Sequence, residues 1–273
     1  MNIKNNGVIS LTNDISECKI SLFGGNVVSY RPKTENHDVF WLGDLNKFDN
    51  VQAIRGGVPV CWPRFVEETL NNHFPRHGFA RLSMWKLENV IVEKEKMEVE
   101  MFLCPDDKYN LNVSARLLIK ITDKLECILD TINEGDREFI FSEALHAYFN
   151  VGDRDYVKIE GCKGYQYKNS LDGKIYTLNE DLQIREEFDS AFLNHTTNVK
   201  IIDPIFSRII LLEKKGSNTT VIWNPNKDLA EMSNDQYKKF ICVEPANQGD
   251  AFVRLPPKEK HKISMTVDVK KLC

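Results

Sequence analysis

Residues 96–133 read KMEVEMFLCPDDKYNLNVSARLLIKITDKLECILDTIN. Apolar and polar residues alternate along 96–103, and the same period-two pattern returns at 110–121 and 125–133, with polar or turn residues between the runs. Alternation of this kind is typical of β-strands that bury one face, and short, evenly spaced strands favour antiparallel sheets. This stretch therefore predicts antiparallel β-structure.

The pattern extends well beyond this stretch and recurs at 139–151, 219–223, 238–244 and 262–269. Strands and helices do not alternate as a parallel doubly wound sheet requires. We therefore predict an all-β fold, a large antiparallel two-sheet β-sandwich. One or two short helices are expected, over KDLAEMSNDQY (227–237) and FVEETLNN (65–72).

Composition limits the class of protein and its partners. The chain has 273 residues, of which 42% are hydrophobic and 28% charged, so it can bury a sizeable core. Without a linker, a repeat or a shift in composition, residues 1–273 are predicted to form a single domain. The net charge of −4 gives no general attraction to nucleic acid or acidic membranes, so neither is expected as a partner.

The N-terminal residues and the cysteines indicate the compartment. MNIKNNGVIS lacks the apolar segment of a signal peptide, and no run has the length of a membrane span. The seven cysteines are odd in number and include no C-x-x-C pair, which predicts reduced thiols and no structural zinc site. We expect a cytoplasmic protein.

Residues 55–81 (RGGVPVCWPRFVEETLNNHFPRHGFAR) form the stretch richest in chemically active side chains, with arginines at 55, 64, 76 and 81 and histidines at 73 and 77. In one interpretation an ordered loop presents guanidinium groups to an oxyanion, because the planar fork of arginine suits phosphate. In the other, surface arginines pair with Glu67 and Glu68. Composition alone leaves both interpretations open.

Two further residues are candidates for proton transfer. Strand alternation places Leu145, Ala147 and Phe149 on one face and Ala144, His146 and Tyr148 on the other, so an imidazole lies beside a phenol. Glu244 follows the apolar run 240–243, at the predicted end of a buried strand, where partial burial would raise its pKa and make it a better base. A structural histidine and a solvated glutamate are the alternatives.

Several strings, taken together, carry a family resemblance: GGNVVSYRP (24–32), RGGVPVCWPRF (55–65), HGFARLSMW (77–85), EALHAYFNVGD (143–153), EEFDSAFLN (186–194), VIWNP (221–225) and FICVEPAN (240–247). They occur in family order over nearly the whole chain. The chain resembles the hexose-6-phosphate mutarotases, the glucose-6-phosphate 1-epimerase branch of the aldose 1-epimerase superfamily. The resemblance implies a galactose-mutarotase-like sandwich with a cleft on one sheet.

The resemblance also implies a role for each matching residue. His146 would be the catalytic acid and Glu244 the base. Arg55, Arg76 and Arg81 would contact the substrate and account for its phosphate, and His77 would contact the sugar ring. Asp189 matches a sugar-binding aspartate, although FDSAF here departs from the family's TD-x-x-Y-like string, and VEETLNN (66–72) replaces a Gly/Pro-rich segment.

The expected function is therefore anomer exchange on a small-molecule sugar phosphate, by a monomer and without metal or cofactor. A base and an acid suffice to open and reclose the ring. We expect replacement of Arg81 by alanine to raise KM for glucose 6-phosphate more than for glucose. The alternatives are a non-catalytic sugar-phosphate-binding regulatory protein, a metal-dependent cupin-type enzyme and a lectin-like module. The cupin alternative is disfavoured because this sequence has no His-x-His pair of the kind that cupins use to bind metal.

Overall fold

The computed structural model describes residues 2–4, 6–66, 73–104, 109 and 111–272. In these ranges every pairing between named strands is antiparallel, and most strands belong to two eight-stranded sheets. The first, here called the back sheet, contains in spatial order β13 (Lys158–Glu160), β17 (Val199–Asp203), β18 (Arg208–Lys215), β22 (Lys260–Lys271), β9 (Leu125–Asn133), β8 (Val113–Ile121), β7 (Met97–Leu103) and β6 (Lys86–Val92).

The second large sheet, here called the front sheet, carries the candidate site. Its spatial order is β15 (Ile175–Thr177), β14 (Gln166–Asn169), β16 (Phe188–Phe192), β19 (Thr219–Asn224), β20 (Phe240–Asn247), β11 (Glu143–Leu145) and β5 (Val60–Cys61). An eighth strand, β12 (Tyr148–Asn150), also pairs with β20.

Smaller elements complete the described fold. A four-stranded sheet contains β1 (Asn2–Ile3), β2 (Val8–Thr12), β3 (Ser16–Ser21) and β4 (Asn26–Pro32), and a two-stranded sheet contains β10 (Phe139–Phe141) and β21 (Val253–Leu255). Short 3-10 helices span Ala80–Leu82, Arg154–Tyr156, Gln236–Lys239 and Gly249–Ala251. None of the described helices has the length and apolar character needed to cross a membrane.

The main hydrophobic core is built from both large sheets. Along β7, Met97, Val99 and Met101 are fully buried while the glutamates between them are partly exposed, as the alternation predicts. From the front sheet, Ile241 and Val243 of β20 join the same core cluster. The predicted all-β, two-sheet architecture is therefore confirmed.

The predicted helix over 227–237 is wrong. Only the 3-10 turn Gln236–Lys239 forms there, and Asn234 and Asp235 adopt positive φ values of 36° and 61°. The carboxylate of Asp228 accepts hydrogen bonds from the backbone N–H groups of Asp235 and Tyr237, at 2.6 and 3.1 Å. Side chains of this kind compete with helical hydrogen bonding, which explains the difference. Most of the second expected helix, 65–72, lies outside the described residues.

The segments around His146 and Glu244 also differ from expectation. The single strand predicted over 139–151 is divided into β10, β11 and β12. Glu244 does not end a strand, since β20 continues through Pro245 to Asn247. The N–H of Val243 donates to Ala147 at 3.2 Å. In the same register Pro245 lies opposite Leu145, whose carbonyl accepts from the N–H of Ala147 at 2.9 Å, so no donor is required from residue 245.

Candidate active site

Strand register brings His146 and Glu244 together. β11 and β12 pair with β20 in one continuous register, with Ala144 opposite Ala246 and Tyr148 opposite Cys242. This register places His146 opposite Glu244, although the hydrogen-bond ladder is interrupted there. The imidazole Nδ1 lies 3.2 Å from the carboxylate Oε1, and both side chains are buried.

The faces predicted around His146 are confirmed. Leu145, Ala147 and Phe149 belong to the main core between the sheets. The imidazole of His146 instead stacks on the ring of Tyr148, with centroids 4.8 Å apart and planes within 7°. The phenol therefore supports one side of the imidazole on the outer face of the front sheet.

The glycine- and proline-rich loop is fixed to both sheets. Trp62 forms a bridge with Gly78, and its indole Nε1 donates to Thr131 Oγ1 of β9 at 3.0 Å. Arg64 points into the protein, where its Nη1 donates to the carbonyl of Phe74. Arg64 thus serves the loop's structure, unlike the other three arginines.

One cavity of about 350 Å³ collects all seven candidate residues from the sequence. Its volume falls within the range of roughly 300–1,000 Å³ that is typical of small-molecule sites. The candidate residues in its wall are Arg55, Arg76, His77, Arg81, His146, Asp189 and Glu244. The structure thus brings the loop residues together with Asp189 of β16, Glu244 of β20 and His146, which lies between β11 and β12.

Arg55 and Arg81 are held by specific contacts. The Nε of Arg55 lies 3.2 Å from Glu231 Oε2, and its Nη1 donates to the hydroxyl of Tyr148 at 3.2 Å. The Nη2 of Arg81 donates to the backbone carbonyl of Arg76 at 3.0 Å, while its buried Nε has no hydrogen-bond partner. The contact that would support the alternative interpretation, pairing with Glu67 and Glu68, falls outside the described residues.

The surroundings shift the proton affinities of the acid–base candidates strongly. Burial lowers the pKa of His146 to about 3, and the positive charges of Arg55 and Arg81 act in the same direction. Burial raises the pKa of Glu244 well above its usual range, with a further contribution from the charge of Asp189. Both shifts act in the direction that places a shared proton on the carboxyl group and leaves the imidazole neutral. Pairs with such opposed shifts are characteristic of functional sites.

The pair also carries unsatisfied polar atoms. His146 Nδ1 and Glu244 Oε2 are buried and have no hydrogen-bond partner, and the 3.2 Å approach of Nδ1 to Oε1 is a close contact without hydrogen-bond geometry. Buried polar atoms without partners are rare, and in a cavity they indicate groups that are available to a ligand. The pair therefore keeps unused hydrogen-bonding capacity in the wall of the cavity.

His77 and Asp189 lie on different walls of the cavity. The ring of His77 is 5.9 Å from that of His146, and its Nδ1 accepts a hydrogen bond from the backbone of Val66 at 3.3 Å. Burial, assisted by Arg81, lowers the pKa of His77 to about 2 and keeps it neutral. Asp189 lies opposite Trp223 in the β16–β19 pair, and burial raises its pKa.

Some cavity residues were not identified from the sequence as site residues. These are Phe65, Val66, Ser170, Ala191, Val221, Trp223, Leu229 and Gln248, and Glu231 stands behind Arg55. Period-two alternation along 219–224 could have placed Val221 and Trp223 on one face. No local signal marks Glu231, which falls in the segment that was expected to be helical.

A metal ion is a less suitable occupant than an anion. Among the described residues, His146, Cys242 and Glu244 offer ligand atoms within 4.8 Å of one another. Three arginines line the same cavity, however, and their charge repels a cation in a low-dielectric site. The donor set therefore fits a divalent metal poorly.

Comparison with known proteins identifies the family. The family model described as aldose 1-epimerase matches residues 7–268. A protein of Haemophilus influenzae, provisionally named a glucose-6-phosphate 1-epimerase, is 33% identical over 219 residues, which cover 79% of this chain and 75% of the relative. A protein of Escherichia coli K12 with the same provisional name is 31% identical over 241 residues, covering 84% and 79%.

Solved structures show the same fold. A provisionally named mutarotase from Salmonella typhimurium superposes with a TM-score of 0.89 at 27% identity, covering 97% of this chain and 90% of that one. A galactose 1-epimerase from Lactobacillus acidophilus superposes with a TM-score of 0.75 at 14% identity, covering 99% and 97%, and shares the fold. The chain therefore belongs to the aldose 1-epimerase family of isomerases.

Proposed function

We propose that the protein interconverts the α and β anomers of D-glucose 6-phosphate or a related hexose 6-phosphate. The observation that carries this proposal is the 3.2 Å approach of His146 to Glu244 in a cavity whose wall also holds Arg55, Arg76 and Arg81. An unphosphorylated sugar offers nothing that requires three guanidinium groups, whereas a phosphate matches their paired donors.

The proposed reaction consists of two proton transfers around one bond. Glu244 removes the proton from the C1 hydroxyl while His146 protonates the ring oxygen, and the C1–O5 bond breaks to give the open-chain aldehyde. Rotation about C1–C2 presents the other face of the carbonyl. On closure His146 takes back its proton, and Glu244 returns one to the new C1 hydroxyl. Each transfer of this kind contributes typically about a hundredfold to ten-thousandfold in rate.

The remaining predicted roles belong to the same proposal. Asp189 and His77 bind sugar hydroxyls, since both face the cavity that holds the pair. We infer that residues 1–273 act as one domain and as a monomer in the cytoplasm. The exchange needs neither a redox cofactor nor a metal, because acid–base catalysis supplies both proton transfers.

The decisive experiment follows the anomers of pure α-glucose 6-phosphate as they equilibrate, with glucose measured alongside. We expect the wild-type protein to accelerate exchange of the phosphorylated sugar and Glu244→Gln to abolish that acceleration, because an amide cannot take the proton. Glu259→Gln, at an exposed glutamate, is the matched control and should behave as the wild type does. A Glu244→Gln protein with full turnover would remove Glu244 from the mechanism.

The main alternative is a sugar-phosphate-binding protein without catalysis. It predicts that glucose 6-phosphate binds while its anomers equilibrate no faster than in buffer. The buried polar atoms of His146 and Glu244 that lack hydrogen-bond partners favour an enzyme. Sugar binding alone does not require an acid and a base that are both left without partners. Calorimetric titration combined with the anomer assay distinguishes the two.

A further inference from the structure

The arginines and the proposed acid share a wall of the site. A second cavity of about 500 Å³ is lined by Arg55, Arg81 and His146, which also line the first cavity. Guanidinium groups bind tetrahedral oxyanions through paired hydrogen bonds. An oxyanion bound by Arg55 and Arg81 would therefore lie close to the imidazole.

The acid–base pair can hold its single proton in two ways. In the neutral form the proton is on Glu244 and the imidazole is uncharged, whereas in the ionic form Glu244 is a carboxylate and His146 an imidazolium. Burial disfavours the ionic form because both charges lose hydration. The proposed reaction requires the ionic form, since only it can take a proton from the C1 hydroxyl and give one to the ring oxygen.

The charges that face His146 come from a small set of described groups. Its neighbours that titrate or carry charge are Glu244, His77, Tyr148, Cys242, Arg55, Arg76 and Arg81. Burial keeps His77 neutral and raises the pKa values of Tyr148 and Cys242, so these three carry no charge near neutral pH. The guanidinium groups are therefore the positive charges that oppose an imidazolium at residue 146.

We propose that a phosphate dianion bound by Arg55 and Arg81 moves the shared proton from Glu244 to His146 and thereby activates the acid–base pair. The dianion offsets the positive charge beside the imidazole, an effect that is large in a low-dielectric cavity. The proton leaves the Glu244 carboxyl group and joins Nδ1 of His146 once the two side chains, whose Nδ1 and Oε1 lie 3.2 Å apart, turn into hydrogen-bond alignment, so charge and atoms balance. This inference rests on the proposed function and extends it.

The consequence is that phosphate raises kcat as well as affinity. A sugar without phosphate meets the pair in its neutral, inactive form even when it fills the cavity. A free tetrahedral dianion added separately should then restore activity toward that sugar. Simple tethering of the substrate by its phosphate predicts no such activation, because binding energy alone lowers KM.

The first test measures exchange of α-glucose with increasing phosphite dianion, after subtraction of the enzyme-free rate at each concentration. We expect phosphite to raise kcat/KM for glucose saturably by about tenfold or more. Phosphite that inhibits glucose 6-phosphate turnover yet leaves glucose turnover unchanged would overturn the inference. The proposed function would survive that result, and it fails only if glucose 6-phosphate itself is not turned over.

Variants at Arg81 separate activation from binding. Arg81→Ala removes one positive charge beside the imidazole, so it should turn over glucose faster than the wild type without phosphite, and slow turnover of glucose 6-phosphate. Arg81→Lys keeps the charge but loses the paired donors, so it should weaken phosphite activation without the gain in glucose turnover expected for Arg81→Ala. Arg137→Gln, at an exposed arginine after β9, is the matched control. Equal slowing of both sugars by Arg81→Ala would contradict the inference.

A readout independent of activity uses the ring nitrogens. In protein labelled with ¹⁵N-histidine, the His146 resonances are identified by their loss in His146→Gln. Addition of inorganic phosphate should move them from neutral imidazole to imidazolium positions, and in Glu244→Gln they should stay neutral, because the amide can neither give up the proton nor become the carboxylate that stabilises the imidazolium. Resonances of the wild-type protein that remain neutral at saturating phosphate would refute the proton transfer.

Discussion

Tyr148 contacts both the proposed acid His146 and the proposed phosphate ligand Arg55. Its ring stacks on His146 at 4.8 Å, and its hydroxyl accepts a hydrogen bond from Arg55 at 3.2 Å. The two contacts use different parts of one side chain, so they can be separated by substitution. Tyr148 therefore acts in our proposal as a positioning residue for the proton donor and for a phosphate ligand.

Replacement of Tyr148 by phenylalanine should affect substrate affinity more than turnover. The ring remains beside His146, whereas Arg55 loses one of its two acceptors and keeps Glu231. A hydrogen bond with one charged partner contributes roughly 1.5–3 kcal/mol, so KM for glucose 6-phosphate should rise about tenfold or more with kcat nearly unchanged. Tyr156→Phe, at an exposed tyrosine, is the control. A fall in kcat at unchanged KM would show that the hydroxyl serves the chemistry itself.

At the scale of elements, the glycine- and proline-rich segment 55–81, which includes β5, gives the site its three arginines. The described part of this loop closes where Trp62 bridges Gly78, and the Trp62 carbonyl also accepts from the N–H of Ala80 at 3.1 Å. Gly78 has a φ of 71°, and a Cβ there would lie 2.0 Å from the Trp62 carbonyl oxygen. Only glycine permits this approach.

Gly78→Ala should therefore reduce both stability and activity. We expect a loss of at least about 2 kcal/mol in the free energy of unfolding, since neither the backbone conformation nor the contact can be kept. Exchange activity should fall too, because the turn at Gly78 positions the site residues on either side of it, Arg76, His77 and Arg81. The measurement is urea unfolding together with the anomer assay.

Gly173→Ala provides the matched control for that substitution. Gly173 has a nearly equal φ of 73° but has no atom within 4 Å of an added Cβ. It should lose only about 1 kcal/mol from backbone strain and keep full activity. If the two variants lost the same stability, the close contact at Gly78 would be unimportant.

At the scale of the whole molecule, His195 joins the two large sheets. Its Nδ1 accepts a hydrogen bond from Thr220 of β19, in the front sheet, at 2.8 Å. Its Nε2 donates at 3.0 Å to the carbonyl of Gly161, which follows β13 of the back sheet. Because a carbonyl can only accept, Nε2 carries the ring proton, and in the neutral imidazole Nδ1 is left to accept from Thr220. Burial and the nearby charge of Lys214 lower the pKa of His195 to about 4.

The contribution of His195 to stability should decline in acid. Between its ordinary pKa of 6.5 and the folded value of about 4, the unfolded chain binds a proton that the folded protein does not. The stabilising contribution of His195 is therefore fully present above this pH window and is lost as the pH decreases through it. The full shift corresponds to about 3 kcal/mol.

Urea unfolding of the wild type and His195→Gln at several pH values measures this effect. The stability advantage of the wild type over the variant should shrink steadily from pH 7 toward pH 4. His37→Gln, at an exposed histidine, is the control variant measured at each pH. If the difference in the free energy of unfolding between the wild type and His195→Gln stayed constant with pH, His195 would bind protons equally in the folded and unfolded chains.

The sequence by itself determined the strand type, the two-sheet class and the faces of the His146 segment. These properties follow from period-two alternation, which each strand carries locally because successive side chains point to opposite sides. The strings around 55–65, 143–153 and 240–247 also indicated the family and its candidate residues. All of this information is local in the chain.

Only the tertiary structure decided which of those residues meet. His146 faces Glu244 because β11 and β12 share one register with β20, and such a register between distant strands is set by burial and not by either segment alone. The failed helix at 227–237 has both a local and a distant cause. Asp228, inside the segment, accepts from the backbone of Asp235 and Tyr237, and Asp44, far away in sequence, accepts from the backbone of Ser233 at 3.1 Å. The contact with Asp44 cannot be read from the segment itself, because tertiary contacts override local propensity.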